Sequence, residues 1–270
     1  MPVTETAYAK INLGLHVRRR REDGYHDIET LFAFVDAGDV LTAKPAEQDT
    51  LHITGEFAEG LNPPFGNLAI KALGKLPRPT GLELLLDKRL PIAAGLGGGS
   101  ADAGAVFRIV EEYHGLPEDW QTRAASLGAD VPACVRSEMA IGRGNGTKME
   151  SVANDLTGTP VLLVNPRISL GTADVYGAWD GQDRGALPSG SAREIAKVAR
   201  NDLRDPAIGL CPIISDVLDA LAHSDAWQSD MSGSGATCYA LFDRVEARDA
   251  ASAAIETDRP DWWQMRGRLR

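Results

Sequence analysis

Hydrophobic and polar positions vary along the chain in a way that predicts strands mixed with helices. Val3 to Val17 combines β-branched residues, Tyr and Leu, which is typical of one or two strands. Gly81–Asp87 and Val161–Asn165 predict shorter strands. Helical candidates include Asn67–Leu76, where apolar residues can form one stripe, and Ile213–His223. Because these elements follow no regular βαβα alternation, the pattern favours an α+β fold over a doubly wound parallel sheet.

Polar segments interrupt this pattern and predict turns. Arg18–Gly24 is highly charged and predicts a turn after the first strand region. Tyr25–Val35 predicts the next strand, which we expect to end at Asp36–Asp39, where Asp and Gly break the pattern. Val40–Ala43 then predicts a separate short strand.

Length and composition limit the class of protein. Of the 270 residues, 43% are apolar and 24% charged, a balance that argues against a largely disordered chain. At roughly 150 residues per domain, the length suggests two modest lobes or one large domain. A composition change at Gly142–Gly146 predicts an N-terminal domain of residues 1–150 and a C-terminal domain of residues 151–270.

Charge and cysteine content argue against several kinds of partner. The chain has 28 Lys and Arg against 38 Asp and Glu, a net charge of −10, which disfavours nonspecific nucleic-acid binding. No stretch approaches the ~18 apolar residues of a membrane span, and Met1–Leu15 lacks the order of a signal peptide. Cys134, Cys211 and Cys238 are far apart, which suits a reducing compartment. We therefore expect a cytoplasmic protein with no nucleic-acid or membrane partner.

The strongest local signal is the glycine-rich stretch Pro91–Asp102. Its four glycines in five positions let backbone N–H groups approach a ligand without obstruction. Ser100 is expected to cap a helix over Ser100–His114, and the N-terminus of that helix would favour a polyphosphate. The stretch has no Lys, so it is not a Walker loop, and Ser100 stands where the Rossmann pattern needs a third glycine. A flexible hinge or tight turn is the alternative.

Lys10 and Asp130 are the candidates for chemistry on a phosphate. Strand alternation places Lys10 and Asn12 on one face, which either lines a site or is a solvated sheet face. Asp130 has small or apolar neighbours and is either a helix N-cap or a working carboxylate. Phosphoryl transfer to an alcohol needs a carboxylate for the proton and a cation for the developing charge. Lys10 and Asp130 would fill those roles if the fold brings them together.

Two further motifs allow both a functional and a structural interpretation. Tyr25 and His26 could stack on a base and bind its edge, or they are a turn aromatic and a surface histidine. Ser232–Gly235 is either an ordinary turn or a set of small residues that packs against the glycine loop.

In chain order, these motifs resemble the GHMP small-molecule kinase superfamily. The resemblance rests on Ala9–Leu13, Pro91–Asp102 and Ser232–Thr237. It is sharpened by Asp23–His26, Leu31-Phe32 and Leu127–Pro132, and it runs over nearly the whole chain. It implies a two-lobed α+β fold with the active site in the cleft between the lobes. It further implies ATP as phosphate donor, Mg²⁺ as its counter-ion, and a small-molecule substrate with a cytidine diphosphate group. We expect a monomer or weak homodimer.

The resemblance also implies a role for individual residues. Asp130 would be the catalytic base and Lys10 its charged partner. The substrate-binding residues would be Asn12, Tyr25, His26, Phe32 and Tyr176. The residues that hold the ATP phosphates would be Pro91, Ile92, Ala93, Ala94, Gly95, Leu96, Gly97, Gly98, Gly99, Ser100 and Ala101.

Two other functions stay open on the sequence alone. The chain could phosphorylate another alcohol, such as homoserine or mevalonate, in which case the aromatic residues Tyr25 and Tyr176 would have no base to stack on. It could also be a non-catalytic nucleotide-binding module, although the presence of both Lys10 and Asp130 counts against this.

Overall fold

The computed structural model describes residues 1–59, 61 and 66–270, which form two compact units. The first unit comprises Met1–Lys10, Ala37–Ile92 and Gly97–Ser137. The second comprises Ile11–Asp36, Ala93–Leu96 and Glu138–Arg270. Each unit is therefore assembled from several stretches of chain. The domain boundary near residue 150 stays a prediction.

Helices and strands are mixed along the whole described chain, which confirms the predicted α+β class. The strands are β1 (Val3–Arg20), β2 (His26–Ala46), β3 (Thr50–Thr54), β4 (Gly81–Asp87), β5 (Ala140–Gly144), β6 (Lys148–Ser151), β7 (Pro160–Asn165), β8 (Gln228–Met231), β9 (Cys238–Leu241) and β10 (Trp263–Arg268). The helices are α1 (Leu68–Lys75), α2 (Gly98–His114), α3 (Trp120–Ala125), α4 (Val131–Arg136), α5 (Thr172–Gly177), α6 (Ala192–Val198), α7 (Arg204–Leu210), α8 (Ile213–Ala222) and α9 (Val245–Asp258).

The first unit packs helices against strands β2, β3 and β4. β4 pairs antiparallel with the second half of β2, from Val40 opposite Asp87 to Ala46 opposite Gly81, and parallel with β3. Helix α2 buries nine of its 17 residues and contacts both α1 and α4. Burial of its Ala, Val, Ile and Phe side chains contributes to the hydrophobic stabilisation of the unit.

The second unit contains an antiparallel sheet in the order β10-β7-β9-β8. All six residues of β7 are buried, as expected for the apolar run Val161–Asn165 at the centre of a sheet. The first half of β2 pairs with β5, and β5 pairs with β6. The core of this unit gathers apolar residues from β7, β9, α8 and α9, among them Leu162, Val164, Cys238, Ile214, Leu221 and Ile255.

Strand β2 is longer than the sequence predicts. We expected a break at Asp36–Asp39, but β2 runs without interruption for 21 residues. The reason is close packing: a Cβ at Gly38 would overlap the carbonyl oxygen of Ala7, so glycine lets the two backbones approach there. Gly38 is thus a strand residue rather than a strand breaker.

Other elements differ in smaller ways. The helix expected over Asn67–Leu76 is confirmed as α1, with the Asn67 side chain accepting a 2.8 Å hydrogen bond from the N–H of Ala69. Five short elements, namely α4, α7, β5, β6 and β8, were not predicted, because four to seven residues are too few for a periodic pattern. In the described part of the chain, no helix combines the length and apolar character needed to span a bilayer.

Candidate active site

Lys10 and Asp130 form an ion pair in the first unit, although 120 positions separate them in the chain. The Lys10 Nζ lies 3.0 Å from the Asp130 Oδ2, with 6% of the lysine side chain and 33% of the aspartate side chain exposed. The solvated-face interpretation of Lys10 and Asn12 is therefore wrong, since both residues are buried. Asp130 occupies the N-cap position of α4, but among the described residues its side chain makes no capping hydrogen bond. Its carboxylate is instead turned to an ammonium group.

Close packing of α4 against α2 brings Asp130 to this position. Gly104 of α2 has no side chain, and a Cβ there would press on the backbone of Cys134 in α4. Pro132 lies in the first turn of α4, where its missing N–H costs nothing. Burial raises the pKa of the Cys134 thiol, and the neighbouring Asp130 carboxylate raises it further. Cys134 is accordingly a packing residue and not a nucleophile.

The glycine-rich stretch leads directly into α2, but not with the cap that we expected. Ser100 is not the N-cap: α2 begins at Gly98, and Gly97 occupies the cap position with φ +62°. Such a φ favours glycine. A Cβ at Gly97 would lie 3.0 Å from Cε of Lys10, so the missing side chain also leaves room for the lysine. The first backbone N–H groups of α2, including that of Ser100, have no intrahelical partner and favour an anion.

The beginning of the same stretch is held by hydrogen bonds inside the second unit. The carbonyl oxygens of Ala93 and Ala94 accept from the N–H groups of Leu170 and Thr237, at 3.2 Å each. The hydroxyl of Ser232 donates to the carbonyl oxygen of Gly95 at 2.8 Å. Of the two interpretations left open for Ser232–Gly235, these contacts favour the one in which the turn packs against the glycine loop. This part of the loop is an ordered segment rather than a flexible hinge.

The remaining loop residues differ in exposure. Pro91, Ala94, Leu96 and Ala101 are buried, whereas Ile92, Ala93 and Gly99 are exposed. Gly98 lies over a second lysine, because a Cβ there would be 3.5 Å from Nζ of Lys88.

Lys88 belongs to a buried charge cluster that the sequence analysis missed. Its Nζ lies 2.5 Å from Oδ2 of Asp39 and 2.9 Å from Oδ2 of Asp102, and all three side chains are buried. Asp39 Oδ1 also accepts from the N–H groups of Arg89 and Leu90, so Asp39 holds the segment just before the loop. Asp102 lies in the first turns of α2 among alanines and glycines. That isolated acidic residue in a small-residue helix was the signal that could have found the cluster.

The two lysine-linked carboxyl groups give this cluster unusual electrostatics. Burial raises the pKa of Asp102 to about 7, although the charge of Lys88 acts to lower it. Burial alone would lower the pKa of Lys88, but the carboxylates of Asp102 and Asp39 outweigh it and raise that pKa. Asp102 Oδ1 has no hydrogen-bond partner among the described residues. Lys88 therefore compensates two acidic groups that lack access to water.

Asn12 of β1 is held within the second unit. Its Nδ2 donates to the hydroxyl of Thr30 at 2.7 Å, and its backbone N–H donates to the hydroxyl of Ser232 at 3.2 Å. Asn12 was predicted to line a site, whereas its partner Thr30 was not predicted. No local pattern could reveal it, since Thr30 lies on another strand.

An aromatic cluster in the second unit brings His26 and Tyr176 together. The His26 ring lies 4.8 Å from the Tyr176 ring at 34°, and 5.7 Å from the Trp179 ring at 83°. Burial lowers the pKa of His26, and the Arg20 charge lowers it further. His26 is therefore a buried neutral ring, not a surface histidine. Trp179, which was not predicted, is the third ring of this cluster.

The other two predicted aromatic residues lie differently. Tyr25 is 61% exposed, on the turn between β1 and β2. Phe32 is buried in β2, where a side chain on Gly142 of the paired strand would collide with its ring. The missing side chain of Gly142 therefore provides the space that the Phe32 ring occupies.

Sequence and structure comparisons identify relatives over the whole chain. Residues 67–138 match the family described as GHMP kinases N terminal domain, and residues 184–258 match GHMP kinases C terminal. A 4-diphosphocytidyl-2-C-methyl-D-erythritol kinase of Erythrobacter litoralis is 62% identical over 271 residues, with 99% of each chain covered. One of Novosphingobium aromaticivorans is 63% identical over 270 residues, covering 100% of this chain and 94% of the relative. The crystal structure of a 4-(cytidine 5'-diphospho)-2C-methyl-D-erythritol kinase aligns with TM-score 0.83 and 33% identity, covering 99% of both chains.

Proposed function

The chain belongs to the GHMP kinases, and from this premise we propose that it is an ATP-dependent 4-diphosphocytidyl-2-C-methyl-D-erythritol kinase. It phosphorylates the 2-hydroxyl of that polyol, a step of non-mevalonate isoprenoid precursor synthesis. The relatives at 62% and 63% identity carry this name. The observation in the site that carries the proposal is the ion pair of Lys10 with a partly exposed Asp130.

We assign the chemical step to that pair. Asp130 Oδ2 accepts the proton of the 2-hydroxyl as its oxygen forms a bond to the γ-phosphorus of ATP. The bond from that phosphorus to the β,γ-bridging oxygen breaks, and ADP leaves with the electron pair. Lys10 compensates the negative charge that develops around the transferred phosphoryl group. Since Lys10 lies beside Gly97, the lysine and the first N–H groups of α2 would act on the same phosphates.

Mg²⁺ is the proposed counter-ion of ATP. Among the described residues, no group of three or more His, Cys, Asp or Glu side chains is arranged to hold a metal ion. The ion would be bound largely through the phosphates of the nucleotide, as Mg²⁺ commonly is. The metal would supply charge neutralisation for the polyphosphate.

The cytidine group of the substrate is proposed to bind at the aromatic residues of the second unit. Tyr176 and Tyr25 would supply ring faces for stacking, and His26 would bind the edge of the base. Asn12 and Phe32 complete the proposed substrate-binding set. A neutral His26 fits this role, because Nε2 accepts from Nε of Arg20 at 3.4 Å and Nδ1 then carries the hydrogen that can be donated to the base.

A coupled ADP-release assay tests the proposal directly. The purified chain is offered ATP with 4-diphosphocytidyl-2-C-methyl-D-erythritol, homoserine or mevalonate in parallel. We expect ADP release above the substrate-free background only with the cytidine-linked polyol. Release that is equal or faster with homoserine or mevalonate would overturn the substrate assignment, and ATP binding without release on any of the three would overturn the kinase assignment.

A further inference from the structure

Two hydroxyl groups in the second unit hold Asn12, one through its side chain and one through its backbone. The Thr30 hydroxyl lies 2.7 Å from Asn12 Nδ2 and 2.6 Å from the carbonyl oxygen of Gly14. The Ser232 hydroxyl lies 3.2 Å from the backbone nitrogen of Asn12 and 2.8 Å from the carbonyl oxygen of Gly95. Thr30, Asn12 and Ser232 are all buried.

The Thr30 contacts leave a single direction for each hydrogen bond. A hydroxyl has one hydrogen to donate, and a backbone carbonyl oxygen can only accept. The Thr30 hydroxyl must therefore donate to the Gly14 oxygen and accept from Asn12. The Asn12 atom that faces Thr30 must then be the amide nitrogen. The orientation of the Asn12 amide therefore depends only on which of these groups can donate a hydrogen bond.

The opposite end of the amide meets a backbone that leaves room for it. With Nδ2 on Thr30, Oδ1 is turned away from that hydroxyl. A Cβ at Gly233 would lie 3.2 Å from this oxygen, a tight contact, and Gly233 has φ +57°. Asn201 keeps this turn in place, because its Nδ2 donates to the carbonyl oxygens of Met231 and Gly233 at 2.8 Å each.

The directions of the Ser232 hydrogen bonds follow in the same way, and they connect Asn12 to the glycine-rich stretch. Ser232 must donate to the Gly95 carbonyl oxygen, so it accepts from the backbone N–H of Asn12. One hydroxyl thus ties the backbone of Asn12 to the loop segment at Gly95. The position of Asn12 along β1 and the direction of its amide are set by two separate groups.

We propose that Thr30 is a positioning residue that presents Asn12 Oδ1, rather than Nδ2, to a hydroxyl group of the polyol substrate. This inference rests on the proposed function, in which Asn12 contacts substrate. An alcohol hydrogen needs an acceptor, and the carbonyl end of the amide supplies one. Without the Thr30 hydroxyl, Nδ2 loses the acceptor that fixes it. An amide that turned over would offer a donor to that hydrogen and leave the substrate hydroxyl poorly paired.

The first experiment compares Thr30→Val with Thr30→Ser. Valine keeps the β-branched shape and removes the hydroxyl, whereas serine keeps the hydroxyl. We expect Thr30→Val to lower kcat/KM for the cytidine-linked polyol about 10-fold, in line with the loss of one buried hydrogen bond. The KM for ATP should stay unchanged, and Thr30→Ser should restore most of the activity. Thr42→Val, which removes a threonine–threonine bond of the same strand in the first unit, is the matched control and should be as active as wild type.

A double-mutant cycle separates positioning from a general structural effect. If Thr30 acts through Asn12, Thr30→Val should have almost no further effect in an Asn12→Ala background. A further 10-fold loss in that background, or wild-type kinetics in Thr30→Val alone, would overturn the inference. If Thr30→Val does not fold by circular dichroism, the same comparison is made with Thr30→Ala and Thr30→Ser. A wild-type chain that does not phosphorylate the polyol overturns the proposed function instead, so the two failures are distinct.

Discussion

The first unit holds two lysine–carboxylate clusters that resemble each other in composition and differ in access to water. Lys10 and Lys88 are almost equally buried, with 6% and 5% of their side chains exposed. Their partners differ: Asp130 is 33% exposed, whereas Asp39 and Asp102 are sealed at 0% and 2%. A carboxylate can take a proton from a substrate only if the substrate can reach it. The exposure of the acid, not that of the lysine, therefore separates the proposed catalytic pair from a buried structural cluster.

The largest effect that this comparison predicts is on turnover at Asp130. Asp130→Asn keeps the shape and removes the base, so kcat should fall roughly 10²–10⁴-fold with the fold intact. Asp119→Asn is the matched control, because Asp119 also precedes a short helix and pairs with an arginine at an exposed site. Steady-state kinetics and a thermal melt of both variants check this. Near-normal turnover in a folded Asp130→Asn variant would remove Asp130 from the mechanism.

The next effect concerns stability and should be larger at the sealed cluster. Lys88→Met leaves two buried acidic groups without a counter-charge, which should lower the free energy of unfolding by about 3–5 kcal/mol. Lys10→Met leaves an acid that water can reach, so its cost should be about 1 kcal/mol or less. Urea denaturation of the two variants measures the difference. Equal destabilisation would show that the exposure of the acid does not distinguish the clusters.

The pH dependence of stability sharpens the same contrast. The pKa of Asp102 is about 7 in the folded protein and near its usual 3.8 when unfolded. The protonated acid is thus favoured by the fold, and this contribution is complete below pH ~4 and is lost as pH rises through ~7. The unfolding free energy of wild type minus that of Asp102→Asn should fall over this interval. An increase across the interval would mean that Asp102 is held ionised.

The smallest predicted effect distinguishes two neighbouring glycines, one beside each lysine. Gly97→Ala places a side chain at φ +62° and 3.0 Å from Cε of Lys10, so it should destabilise the protein by about 1–2 kcal/mol. Gly98→Ala meets Nζ of Lys88 at 3.5 Å, an ordinary contact, and should be near neutral. Thermal unfolding of the pair is the measurement. A reversed order would show that the approach at Lys88 is the tighter one.

The sequence predicted the parts of the site that lie in continuous segments. The glycine stretch, the strand with Lys10 and Asn12, and the turn Ser232–Gly235 were all recognisable, because backbone freedom and alternation are local properties. The cap at Ser100 was wrong for a local reason too: the N-cap is a left-handed Gly97, three residues before the serine.

Several residues whose role depends on a partner from elsewhere in the chain were not predicted. Asp102 appears in the sequence as one acid among alanines, and only its ion pair with Lys88 explains why an acid is buried there. Thr30 appears as an ordinary strand threonine, and only its two hydrogen bonds identify it. Gly38 looked like a strand breaker until the Ala7 carbonyl oxygen showed which neighbour it accommodates.

The amino-acid sequence by itself determined the α+β class, the glycine stretch before a long helix, and the set of residue types that phosphoryl transfer requires. Spacing and composition carry that information, since they act over a few residues. Tertiary structure decided which acid faces Lys10, which acids are sealed around Lys88, and which way the Asn12 amide points. Those outcomes depend on burial and on hydrogen bonds between distant segments, which exist only after the chain has folded.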